Sequence, residues 1–214
     1  MAIIQSGGAA GTALLIDPTF AAARVAMRPV DTLGWNSVGA ATGNVSALVI
    51  NNTVFSLRNF ASNPIIVRRV GVGFITTTAF TAPQQISFGL LVARSFTASD
   101  SGGTAIAFTG NNCKHRTSLG TPTSIDCRIA STTALTSGTR VVDANTVAMQ
   151  AGWSGVAGTT IAPGLNNLLG HDAGDYPIIL QQNEGLLIVN LTAMGAGGSG
   201  ITYIAAEFAE ASAF

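Results

Sequence analysis

Charge is what this chain has least of. Only 9% of its 214 residues are Asp, Glu, Lys or Arg, against about 25% in an ordinary soluble protein. Lysine occurs once, as Lys114, and glutamate three times, while nine arginines and seven aspartates supply the rest. Net charge is zero and no basic run exists, which disfavours sequence-independent binding of nucleic acid, since that needs cations to neutralise phosphates. No apolar run approaches the roughly 20 residues of a membrane-spanning helix. At 7% aromatic content, the aromatic girdles of a membrane β-barrel are also missing. Disorder does not account for the low charge, because disordered chains are charged and poor in apolar residues, whereas this one is 47% hydrophobic.

Cysteine is nearly absent too. Cys113 and Cys127 are the only two, so no disulfide framework is implied. They could close one bridge or stay as two reduced, buried thiols. The N-terminus has no basic residue before Arg24. It therefore does not read as a secretory leader, and folding in a cytoplasm is expected.

What is present is arginine without lysine or glutamate. The guanidinium sheds water more readily than an ammonium and holds two hydrogen bonds in a planar fork. Depletion of Lys and Glu with Arg retained is the bias of interfaces. A codon preference for Arg would contribute, but it leaves the scarcity of Glu unexplained.

Residues 1–45 are rich in Gly and Ala and show no long alternation, so they read as an arm. Within it, Asp17-Pro18 has the chemistry of a helix start and Arg28-Pro29 of a stop. The segment is either a helix of one or two turns or an extended stretch with Arg24, Ala26 and Arg28 on one face. From residue 46 to 214 a two-residue period takes over. Strands are expected at 47–50, 53–58, 64–75, 85–96, 125–129, 139–142, 178–180, 185–191 and 201–208. Ile86, Phe88, Leu90 and Val92 alternate with small residues, which implies another layer packed close to the second face. Gly185 to Leu191 is apolar on both faces, either as a central strand or as one that meets another subunit. Residues 97–124 and 143–176 read as long irregular excursions, of the kind that are usually functional or interfacial. The crossover helices of a parallel sheet are missing. The expected fold is all-β, an antiparallel sandwich with jelly-roll-like connections and an extended N-terminal arm.

Catalytic chemistry finds little to stand on. Cys113, His115 and Cys127 could offer three zinc ligands, but their spacing matches no finger or ribbon. His171, Asp172 and Asp175 fall in a Gly-rich turn, and a solvated turn explains them better than an oriented base. Ser6 to Thr12 lacks the lysine of a phosphate loop. No cofactor, metal or catalytic residue is expected. Arg58, Arg68 and Arg94 lie within apolar strands and need partners, with Asp126, Glu184 and Glu207 as candidates. The candidate interface residues are Phe20, Arg24, Arg28 and Trp35 in the arm, and Trp153 in the second excursion.

Several stretches carry a resemblance: Phe96-Thr-Ala-Ser-Asp-Ser-Gly-Gly-Thr104, Asn111-Asn-Cys-Lys-His-Arg-Thr-Ser118, Ile129 to Arg140, Asn183-Glu-Gly-Leu-Leu-Ile-Val-Asn190, and Asp17 to Arg24 with Arg28-Pro29. Together they resemble a group of uncharacterised virion structural proteins of tailed double-stranded DNA bacteriophages. The resemblance runs from about residue 12 onward and supplies no functional residues. It implies a non-enzymatic particle component, located in the virion and assembled in the host cytoplasm. The leading expectation is a capsid decoration (cement) protein, a homotrimer that binds the major capsid protein or another virion protein. The alternatives are a head-fibre, neck or tail adaptor subunit, a carbohydrate-binding host-attachment module and, last, a small hydrolase. Neither nucleic acid nor membrane is expected as a partner.

Overall fold

The alternation of apolar and small residues after Pro83 forms a long strand, and every regular element among the described residues is also a strand. The computed structural model describes residues 16–17, 22–23, 34–154, 160–170 and 177–211. In chain order the strands are β1 (Ile16–Asp17), β2 (Ala22–Ala23), β3 (Trp35–Ala41), β4 (Val45–Ser46), β5 (Thr53–Asn59), β6 (Ile65–Thr78), β7 (Gln84–Arg94), β8 (Thr104–Ala105), β9 (Ile125–Ile129), β10 (Val141–Val142), β11 (Ala148–Ser154), β12 (Thr160–Gly170), β13 (Ile178–Leu180), β14 (Gly185–Asn190) and β15 (Ser199–Glu210).

Two antiparallel sheets form an all-β sandwich. One runs β12-β6-β15-β3, with β13 also on β6 and β4 on β15; the other runs β10-β7-β14-β5-β9-β8, with β11 also on β7. The core lies between them. Val38, Val70, Val72, Phe74, Ile204 and Phe208 of the first sheet pack with Phe55, Leu57, Ile86, Phe88, Leu90 and Ile188 of the second. Phe74 and Phe88 bridge the layers with ring centroids 5.9 Å apart.

The segment between β7 and β11 closes one side of this sandwich. Its strand β9 extends the second sheet beyond β5. Its loop at Cys113 covers the β3 edge of the first sheet, where the Ser37 amide donates to the Cys113 carbonyl at 2.7 Å and the His115 amide to the Trp35 carbonyl at 3.2 Å. Cys127 is buried and Cys113 half-buried, both as free thiols. Burial pushes both thiols above their ordinary range.

Four expectations need correction. Trp35–Ala41, assigned by sequence to the arm, pairs with β15 from Ala41↔Tyr203 to Trp35↔Ala209, so the sheet begins at residue 35 rather than residue 46. Its small residues, Ser37, Gly39, Ala40 and Ala41, hide the alternation. Residues 47–50 are not a strand: Val49 and Ile50 are exposed in a turn where the Val49 amide donates to Asn52 Oδ1 at 2.9 Å. The helix considered after Asp17 would take in Ala22 and Ala23, which instead pair antiparallel with Asp17 and Ile16, since a one-turn helix fixes many dihedrals for few hydrogen bonds; the rest of that segment, with Arg24, Ala26 and Arg28, lies outside the described residues. Residues 143–176 are not wholly irregular, since β11 and β12 run through them. The inward positions of β11 carry Gly152 and Ser154, too small to register as apolar, and β12 pairs with β6 through two register shifts.

Candidate functional site

Strands β7 and β14 are buried on both faces, and the second face makes the site. Of their residues, Ile86, Phe88, Leu90, Val92, Leu186 and Ile188 enter the inter-sheet core. Their odd-numbered residues Leu91, Ala93, Leu187 and Val189 form a separate apolar cluster with Phe96 on the outer face of the sheet. At one end this cluster is roofed. The Phe96 ring lies between two guanidiniums, with Arg58 5.8 Å and Arg140 5.3 Å from its centroid. Arg58 donates to the carbonyls of Phe96 (2.6 Å) and Thr97 (2.7 Å) and to Ser99 Oγ (2.8 Å). Arg140 donates to Thr53 Oγ1 at 2.8 Å and pairs with the buried carboxylate of Asp100. Asp100 also accepts from the Gly138 amide at 2.8 Å. Burial lowers the Arg140 pKa, yet a guanidinium stays charged at any working pH.

Phe96 is seated against Gly185. A Cβ there would lie 2.5 Å from the Leu57 carbonyl oxygen and 2.7 Å from the Phe96 ring. Gly185→Ala should therefore destabilise the domain by about 1–3 kcal/mol, the usual cost of overpacking. Urea unfolding would check this, and an unchanged midpoint would count against the seating.

Beyond the roof the cluster opens into a cavity of about 420 Å3, with Leu91, Leu187 and Val189 on its floor and Asn51, Arg140, Val142 and Asp143 around it. Past the cavity the face is apolar and exposed. Val142 is 42% exposed, Val147 50%, Met149 59% and Trp153 71%. These four side chains offer on the order of 400 Å2 to solvent, the size at which an apolar patch marks an interaction site. Residues 147–153 contain no charge and no proline, so the devices that normally protect a sheet edge from association are missing here.

Of the five candidate interface residues, the two described ones stand on different sheets. Trp153 stands on this face. Trp35 is half-buried on the other sheet, with Arg68 5.8 Å above its ring. Phe20, Arg24 and Arg28 lie outside the described residues, as do His171, Asp172 and Asp175. Leu187 and Val189 of the cavity floor belong to the strand read from the sequence as apolar on both faces, but Val142, Val147 and Met149 escaped that reading. The signal for them was the period of two through Met149, Ala151 and Trp153.

The strand arginines find partners, only some of them acidic. Arg68 meets Glu207 at 3.7 Å, Arg94 meets Glu184 and Asp143, and Asp126 pairs with Arg128. The Arg94 pKa is raised, chiefly by its hydrogen bond with Glu184. Ser37 Oγ and His115 Nε2 are hydrogen-bonded. That pair alone lacks the acid and oxyanion donors of an acyl-transfer site. Among the described residues no group of three His, Cys, Asp or Glu side chains is placed to hold a metal ion. No protein-family model, curated protein or solved structure matches the chain.

Proposed function

We propose that this chain is a structural protein of a tailed-phage virion, a non-catalytic capsid decoration (cement) subunit that binds its neighbours through protein–protein contacts. The observation that carries the reading is the outer face of β7, β11 and β14, where Trp153, Met149 and Val147 are exposed on a charge-free segment. Burying roughly 400 Å2 at about 25 cal/mol per Å2 gives about 10 kcal/mol gross. Association costs about 4–15 kcal/mol, so the face needs an apolar partner surface of similar size.

The strand order supports the jelly-roll-like reading. Successive strands β3, β5, β6, β7, β11, β12, β14 and β15 give β3-β15-β6-β12 in one sheet and β5-β14-β7-β11 in the other. This is the order that two interlocked Greek keys produce. Such a domain presents broad sheet faces to a lattice and needs no covalent chemistry to stiffen it.

Quantitative mass spectrometry and immunogold labelling of purified particles test the proposal. Copies in the hundreds, with label over the head, are expected. A handful of copies with label at the neck, tail or fibres would favour the adaptor alternative, and absence from particles would overturn the virion reading. Deleting residues 1–30 should abolish particle binding while leaving the melting transition in place. Full head occupancy by the truncated protein would rule the arm out of the contact.

A further inference from the structure

We propose that β11 of one copy pairs edge to edge with β11 of a second copy, antiparallel about a two-fold axis at Ala151. This rests on the assembly reading and names the partner of the Trp153 segment.

A strand at the end of a sheet offers a row of unpaired N–H and C=O groups. Proteins guard such rows with covering loops, charges, prolines and bulges. Three edges of this sandwich are guarded in these ways. The Lys114 loop covers the edge of β3, through an isolated bridge to Asn36. The edge of β9 is covered by β8, and β9 itself carries Asp126 and Arg128. Strand β12 contains Pro163 and shifts register twice against β6. The fourth edge is different. There β11 lies outside β7, and among the described residues it pairs with no other strand. Its seven residues, Ala148–Ser154, include no charge and no proline, and their register with β7 is unbroken.

The side chains fit a copy of the same strand. A two-fold axis sets like residues against like, so a charged edge would repel itself. The nearest charge before β11 is Asp143, already paired with Arg94 at 3.3 Å. With the axis at Ala151, the middle of the strand, Met149 of each copy stands opposite Trp153 of the other. Both side chains are exposed, 59% and 71%, and a thioether beside an indole is a favourable pair. A slip of one residue would set the exposed face of one copy against the sandwich-facing side of the other. Seven paired residues exchange about six to eight hydrogen bonds. The exposed apolar side chains at this edge, on the order of 400 Å2, supply about half of the roughly 800 Å2 that each partner covers in a stable interface. The paired backbones add to that area. The contact joins chains in twos, where a homotrimer was the expectation.

Sedimentation of the full chain at about 50 μM should give twice the 21.7 kDa chain mass. Ala151 is exposed and meets its own copy across the axis. Ala151→Lys and Ala151→Glu should each melt like the parent. Each should also weaken association at least about 10-fold, because like charges then face each other. An equimolar mixture of the two should restore the parent mass, since Lys then faces Glu. In the parent chain, amide hydrogen exchange across Ala148–Ser154 should slow as the concentration rises through the dimer transition. A monomer at this concentration, a three-chain mass, a dimer indifferent to both charges, or a mixture that stays monomeric would overturn the pairing. So would exchange in β11 that does not depend on concentration. A monomer that is still abundant in particles would overturn the pairing alone, since only absence from particles removes the assembly reading.

Discussion

Replacing Asp100 with alanine should cost the domain about 3–5 kcal/mol, the range for breaking a buried ion pair by removing one partner. Asp100 is 2% exposed, and the side chain of its partner Arg140 is 6% exposed. Without the carboxylate, the guanidinium stays inside the roof with one face uncompensated. The Gly138 amide loses its acceptor as well. The pair joins two segments that also meet through the reciprocal backbone bonds of Ser101 and Thr136, each 2.9 Å long, and through those of Thr97 and Ala98 with Thr139. At roughly 2–4 °C per kcal/mol for a chain of this length, the melting temperature should fall by about 10 °C. Asp100→Asn should recover little, because it keeps the volume but not the charge. Replacing both partners with apolar residues of similar size should recover most of the loss, as buried pairs often prove neutral when exchanged whole. A thermal melt of Asp100→Ala within about 2 °C of the parent would show that the roof does not depend on the pair.

That pair also marks where the sequence stopped being legible. The strands of the inner layers were readable, since Ile86, Phe88, Leu90 and Val92 alternate and face the core as the period demands. The small residues on the opposite face of β7 implied a close layer, which is the roof over Ala93 and the cover that Thr146 and Leu191 lay over Gly89. Asp100-Ser-Gly-Gly-Thr104 has the chemistry of a tight turn, and Gly102 and Gly103 have positive φ, 72° and 57°. Nothing local showed that the aspartate would bury itself against an arginine forty residues away. Arg58 illustrates the same limit. It needs a partner, for which acids were the candidates, and backbone carbonyls and a hydroxyl satisfy it; loop geometry of that kind leaves no spacing rule in a sequence. The candidate site was half visible. Trp153 could be singled out by its size, but the cavity joins β14, β7 and the 137–144 segment, which only the strand order brings together.

Glu210 should give the second large effect, and one that depends on pH. It is fully buried at the end of β15, with no cation paired to it among the described residues. Its carboxylate accepts instead from Asn63 Nδ2 (2.8 Å), Ser124 Oγ (2.7 Å), Thr123 Oγ1 (3.2 Å) and the amides of Thr123 (2.7 Å) and Ser124 (3.1 Å). Burial pushes the carboxyl pKa up, but the hydrogen bonds from Asn63, Ser124 and the two amides outweigh it and hold the group below its ordinary value. A depressed folded-state pKa contributes stability that is fully present above the unfolded value, about 4.3 for glutamate. That contribution is lost as pH falls through the folded value. Glu210→Gln keeps the size but turns an amide NH2 toward donors, leaving some of them unpaired at about 1–3 kcal/mol each. The variant should therefore be about 2–4 kcal/mol less stable than the parent at pH 7. Below about pH 4 the parent loses its advantage and the two should converge. Urea midpoints measured at pH 7 and again near pH 3 decide the matter. An equal deficit at both pH values would mean that the ionised carboxylate is not what binds the end of β15 to the Thr123–Ser124 turn.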